Sequence, residues 1–196
     1  NAASDIGTVF PIFILDTKNA GAAFYGASSR LWLYYSLKAL NKQLNGKLRF
    51  LKGDPVTLIK EFALENGIEN IFWNRAYEPW CIKRDTHIKK EFTKCGFKVN
   101  SFNGTLLWEP WNIIKKDGTP YKVFTPYYRK GCLQANPPRL PLKLNPLMLA
   151  KSDQWCSIYS LDKLDLMSEK SWSKKVKKHW EVGENAAENR FKTFLS

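Results

Sequence analysis

Apolar and polar positions follow two alternating rhythms along the first hundred residues. Residues 8–15 (TVFPIFIL) form an almost unbroken apolar run closed by Asp16, the pattern of a strand buried on both faces. A Gly- and Ala-rich loop, 16–27, leads into a helix expected over 28–44, where Leu31, Tyr34, Tyr35, Leu37, Lys38 and Leu40 fall near helical spacing. Ser28 or Ser29 is its expected N-cap. Residues 48–51 give a second strand, ended by Gly53-Asp54-Pro55, with Asp as N-cap and Pro at the first helical position of a helix reaching Gly67. Residues 70–74 (NIFWN) make a third strand, 79–95 a third helix closed by Gly96, and 97–102 a fourth strand. Strand and helix in this rhythm call for a parallel sheet with right-handed crossovers, so the expected fold is α/β, a doubly wound, mainly parallel, Rossmann-like sheet.

Beyond Asn103 the pattern changes. Residues 106–114 are short and Trp-rich, and 121–129 (YKVFTPYYR) are aromatic. Residues 134–149 hold Pro137, Pro138, Pro141 and Pro146, too many for a regular element, and read as an extended strap. Residues 184–195 (ENAAENRFKTFL) form a final amphipathic helix. The expected division is 1–135 for the α/β unit and 136–196 for strap and connecting helix.

Composition narrows the class. The chain has 196 residues, 44% hydrophobic, 14% aromatic and 25% charged, which excludes a disordered or collagen-like polymer. No run of about 18 apolar residues occurs, so no membrane span is expected. The opening residues lack the basic start and apolar core of a signal peptide, and a cytoplasmic location is expected. The net charge of +13 suits a phosphate-rich partner, yet 24 of the 31 basic residues are Lys and 7 are Arg. Geometric reading of nucleic acids favours Arg, so a general compositional bias explains the charge equally well. Residues 170–178 (KSWSKKVKK) read as a solvated surface segment. Cys81, Cys95, Cys132 and Cys156 contain no C-x-x-C pair, and the two histidines, His87 and His179, lie far apart in the chain, so free thiols and no metal site are expected.

Ligands of open α/β sheets sit beyond the carboxyl ends of the strands, which directs attention to residues 13–16, 53–54, 74–78 and 103–104. Helix N-termini there offer free N–H groups to an anion, and Arg30 adds a charge in the first turn of its helix. Neither a G-x-G-x-x-G after a strand, a phosphate-binding P-loop, nor a G-x-S-x-G elbow occurs. His87 falls mid-helix among charges, and no residue is expected to be catalytic. Trp73, Trp80, Trp108 and Trp111 lie at or near strand ends, where indoles either stack on a planar ring or pack the interior.

Several strings are more specific. Trp73-Asn74-Arg75-Ala76-Tyr77-Glu78-Pro79, followed by Lys83-Arg84-Asp85, resembles the WN-x-x-x-EP…RD segment of the photolyase/cryptochrome family. Residues 101–110 (SFNGTLLWEP) and 118–127 (GTPYKVFTPY) resemble the two segments that follow it. Residues 13–16 (FILD), Arg30 with Ser36-Leu37, Gly53-Asp54-Pro55, and 180–184 (WEVGE) also fall in family order. The resemblance covers 8–135 well and 157–196 loosely.

The resemblance implies the amino-terminal antenna domain of a DNA photolyase, which holds a light-harvesting pigment and passes excitation energy to FAD in a helical domain that repairs pyrimidine dimers in DNA. On this resemblance the FAD and its domain lie outside these residues, and that domain is the expected partner. Phe13, Asp16, Arg30, Asn74 and Glu78 match pigment-pocket positions. Ala76 replaces a frequent acidic residue, and Trp80-Cys81 replaces the Asn-Glu pair that holds folate, so deazaflavin or FMN is favoured over folate. The family's opening WFRxDLRxxDN-like strand, central in its sheet, has no counterpart here. The expectation is therefore that strands 8–15 and 70–74 become direct neighbours, exchange elements with another copy, or leave a gap filled by something else. The alternatives are the same domain of a cryptochrome blue-light receptor, a free-standing nucleotide-binding protein, and a basic nucleic-acid-binding module.

Overall fold

The computed structural model describes residues 1–21, 24–151, 160–167 and 171–196; Cys156 and Lys170 lie outside them. Four strands alternate with three helices: β1 (Ile12–Asp16), α1 (Ala27–Gln43), β2 (Arg49–Gly53), α2 (Pro55–Glu65), β3 (Asn70–Asn74), α3 (Pro79–Lys94) and β4 (Lys98–Phe102). Two further helices, α4 (Ser171–His179) and α5 (Glu184–Leu195), close the chain. The α/β alternation follows the sequence rhythm. The lysine-rich stretch read as a surface segment is helical over α4.

The helix boundaries have identifiable causes. Asp54 caps α2, its Oδ2 accepting from Thr57 N–H at 3.2 Å and Thr57 Oγ1 at 2.9 Å, with Pro55 at the first helical position. α1 departs from expectation: Gly26 rather than Ser28 or Ser29 is its N-cap, in extended backbone, and its carbonyl accepts from Arg30 N–H at 2.9 Å. The three helices end alike. Asn45, Gly67 and Gly96 take positive φ (53°, 61° and 87°), and the next N–H reaches back five residues: Gly46 to Asn41 O, Ile68 to Ala63 O, Phe97 to Phe92 O. This is the Schellman arrangement, and it turns each helix sharply toward the following strand.

All pairings are parallel, but the strands form two separate pairs. β1 pairs with β2 in the register Ile12↔Arg49 to Asp16↔Gly53, and β3 with β4 from Asn70↔Lys98 to Asn74↔Phe102. Among the described residues no ladder joins β1 to β3. Strands β1 and β3 are therefore not direct neighbours among the described residues.

The main core lies over the first pair. Leu15, Leu37, Leu48, Phe50, Leu164 and Leu166 are buried together, with Phe13, Phe24, Leu33, Tyr34, Leu44 and Leu161 against them. Leu164 and Leu166 come from a 3₁₀ segment (Leu161–Leu164) and the residues just after it, held by Lys52–Asp165 at 2.6 Å and Tyr34–Asp162 at 2.7 Å. The strap is irregular, as its prolines require. It is tied down where Val9 N–H donates to Met148 O and Ala150 N–H to Val9 O, at 2.7 and 3.0 Å.

Candidate functional site

The carboxyl ends of β1 and β3 open into loops whose side chains converge. Asp16 closes β1 with its carboxylate buried. Its Oδ1 accepts from the N–H groups of Lys18 and Asn19, at 3.0 and 2.9 Å, and Asn19 Nδ2 donates to both oxygens. This Asx-type turn folds the chain back at the strand end. Oδ2 also faces Arg84 of α3 at 3.6 Å, an ion pair that crosses from the first strand pair to the second.

Arg84 stands at the centre of the cluster. Its guanidinium bonds Asp85 at 2.7 Å and lies 4.9 Å from the Trp80 ring centroid, the i,i+4 spacing of α3 bringing cation and indole together. Burial alone would lower its pKa, but the Asp85 bond and the nearby Asp16 outweigh that and raise it. Burial pushes the Cys81 thiol up to about 11; Arg84 opposes this, while Glu78 and Asp85 add to it. Burial likewise raises the Tyr25 hydroxyl, which feels the charges of Glu78, Asp16 and Arg84. Cys81 is therefore a thiol rather than a thiolate at neutral pH.

The five residues singled out from the sequence do not form one contact set. Asp16 and Glu78 both lie within electrostatic reach of Tyr25, and Glu78 hydrogen-bonds Cys81. Glu78 occupies the N-cap of α3 without a side-chain capping bond and is exposed. Phe13 turns into the main core beside Leu15. Asn74, at the end of β3, packs so closely on Gly104 that a Cβ there would fall 2.4 Å from its carboxamide, so a side chain at Gly104 would displace it. Arg30 lies one turn into α1, and its Nε is buried with no hydrogen-bond partner among the described residues. A buried guanidinium donor left unpaired is costly, and an acceptor brought by a ligand would relieve it. Tyr25, Trp80, Cys81 and Arg84 were not among those five. The signal for three of them was their i,i+3 and i,i+4 spacing on α3; Tyr25 carried none.

A second cluster sits beside the first. Glu109, buried, accepts from Arg75 Nε and Tyr77 Oη, each at 2.7 Å, and Arg75 also donates to Ser101 O at 2.6 Å. Trp111 covers Arg75 at 5.8 Å. These bonds hold the 101–112 segment against the end of β3. Trp108 donates to Asn136 O at 2.8 Å, fixing the start of the strap. No group of three His, Cys, Asp or Glu suited to a metal occurs among the described residues, and no helix is long and apolar enough to cross a membrane.

Comparison with known proteins gives a consistent result. The DNA photolyase family pattern matches residues 1–145. The chain is 31% identical to a deoxyribodipyrimidine photo-lyase of Agrobacterium fabrum, over 96% of its own length and 39% of the relative's. It is also 31% identical to Cryptochrome-2 of Arabidopsis thaliana, over 99% of its length and 33% of the relative's. Its structure is similar to a crystal structure of a bacterial class III photolyase from Agrobacterium tumefaciens, with a TM-score of 0.86 at 30% identity, covering 96% of this chain and 39% of that one. An archaeal photolyase from Sulfolobus tokodaii, solved with two FAD molecules, shares the fold at a TM-score of 0.66 and 21% identity, over 84% of this chain and 36% of that one. The chain thus spans a third to two fifths of the length of these relatives.

Proposed function

This chain belongs to the DNA photolyase family, and from that premise we propose that it is the light-harvesting domain of a photolyase, holding a flavin-type antenna pigment at the carboxyl ends of β1 and β3. The observation that carries the reading is Arg30, whose buried Nε has no acceptor among the described residues. In the proposed complex that N–H donates to a polar atom of the pigment. Glu78, whose carboxylate is not spent on capping α3, accepts from a pigment N–H or hydroxyl, and the Asn74 carboxamide, which lies against Gly104, supplies a second polar contact. Asp16 acts at one remove, since its oxygens are engaged by Lys18, Asn19 and Arg84 and serve to set the loop. Phe13 supports β1 from the core.

The pigment, when bound, absorbs light and passes the excitation to FAD in the partner domain. Light-driven repair of pyrimidine dimers in DNA belongs, in this proposal, to the whole protein. Folate is disfavoured because Trp80 and Cys81 stand where a paired polar contact would be needed: Trp80 is taken up by Arg84, and Cys81 is a buried thiol. The equal identity to Cryptochrome-2 supports a second reading, the same domain in a light-signalling protein. A repair assay of the full-length protein on dimer-containing DNA separates the two.

The pigment class is tested by fluorescence titration of the chain with a deazaflavin, FMN and a reduced folate. Saturable one-to-one binding of a flavin-type ring is expected. Saturation by reduced folate alone, or by none of the three, contradicts the reading.

A further inference from the structure

Helix α1 has a second apolar stripe that the main core does not use. Leu33, Tyr34 and Leu37 turn to that core. Along the opposite side Leu31, Trp32, Tyr35 and Ala39 recur at the three- and four-residue spacing of one helical face, between Ser28 and Lys42. The stripe runs about 21 Å along the helix axis. Val176 and Lys177 of α4, with Trp180 just after it, form a facing wall, and the groove between them encloses about 520 Å³. Trp32 and Trp180 are 42% and 58% exposed, so two indoles stand open in one groove. A contiguous exposed apolar surface rimmed by polar residues marks an interaction site.

The walls carry one sign of charge. α1 holds Arg30, Lys38 and Lys42, α4 holds Lys174, Lys175, Lys177 and Lys178, and neither helix has an Asp or Glu. Lys38, Lys42 and Lys177 line the groove itself, and no carboxylate does. Among the described residues no ion pair involves any of the three; Lys177 lies 4.6 Å over the Tyr35 ring. Lys38 with Lys42, and Lys174 with Lys178, are like charges at i,i+4, an arrangement that destabilises a helix left to itself. An anionic occupant relieves that repulsion. A solvated lysine face would account for the charge but not for the indoles set between the lysines.

We propose that this groove docks an acidic amphipathic helix of a partner protein, its apolar stripe laid along Trp32, Tyr35 and Trp180 and its carboxylates over Lys38, Lys42 and Lys177. The length argues for a helix, since about 21 Å matches four turns of roughly 5.4 Å. Aromatic anchors in an apolar groove ringed by charge are also the composition of a helix-binding hot spot. Two other anionic partners fit less well. Unpaired bases stack on flat ring faces, whereas Trp32 and Trp180 meet edge to face, 80° apart with centroids at 5.9 Å. A membrane surface takes up the apolar face of a helix lying flat on it, whereas these apolar groups line a groove between two helices.

The test is calorimetric titration of the intact chain with a synthetic helical peptide that has Leu at every third or fourth position and Glu between. Saturable one-to-one binding is expected, weakened at least tenfold by Trp32→Ala. The double variant Lys38→Glu, Lys42→Glu should also weaken it at least tenfold; both sites are exposed, so the melting temperature should hold. A peptide of the same composition with its leucines spread around the helix should bind at least tenfold more weakly. No saturable binding, or equal affinity for the two peptides, overturns the proposal. Unchanged affinity in the lysine variant overturns it too, however Trp32→Ala folds. Tighter binding of a single-stranded DNA oligonucleotide, or of vesicles of equal parts phosphatidylcholine and phosphatidylserine, lost in the same lysine variant, assigns the face to nucleic acid or membrane and also overturns it.

Discussion

Asp54 is a residue whose contribution can be isolated. Burial alone would raise its carboxyl, but the Thr57 N–H and hydroxyl bonds, with Lys18 nearby, outweigh it and hold the pKa below the ordinary value. A carboxyl depressed in the folded state stabilises above its unfolded value, roughly 3.9, and that contribution is lost as the pH falls through the folded value. Asp54→Ala should therefore cost about 1 kcal/mol near neutrality, and the gap in melting temperature between it and the native chain should narrow as the pH drops below about 4. A difference that stays constant down to strongly acid pH contradicts the capping role. Asp54-Pro55 was legible because cap and first-turn proline are adjacent in sequence. The cap of α1 was not, since Gly26 performs it through its backbone, and nothing in a glycine's side chain marks it against Ser28 and Ser29.

At the scale of elements, the alternation of buried runs and helical stripes identified every strand and helix up to β4, and Gly67 and Gly96 marked two of the three helix ends. α4 escaped because lysines dominate its surface; Trp172, Val176 and Trp180 repeat at i,i+4 along one side, and Lys177 lies 4.6 Å over the Tyr35 ring. The 3₁₀ segment at 161–164 escaped for a different reason. It is too short to show a period, yet Leu164 is 1% exposed within the core of the first strand pair. Leu164→Ala should destabilise the chain by about 2–5 kcal/mol, a loss typical of a buried leucine, measured as a shift in the denaturant midpoint. A loss under about 0.5 kcal/mol, the range of surface substitutions, is the contrary result.

At the scale of the molecule, two strand pairs are joined across a gap by α2, by the Asp16–Arg84 ion pair and by the loops above the strands. A doubly wound fold predicts where a ligand sits, beyond the strand ends, and there Asp16 and Glu78 were legible as candidates. Tyr25, reached only through loop folding, was not, and alternation along β1 turns Phe13 to the core with Leu15. Arg30 remains the residue on which the account turns, since its unpaired buried donor is what a ligand would satisfy.

The most direct test is calorimetric titration of FMN and, in parallel, of a deazaflavin into the native chain, Arg30→Ala, and the exposed helix variant His87→Ala as control. A hydrogen bond to a charged donor contributes about 1.5–3 kcal/mol, so Arg30→Ala should weaken one-to-one binding roughly 10- to 150-fold. His87→Ala should bind as the native chain does. Equal affinity in all three proteins, or no saturable binding by the native chain, contradicts the account.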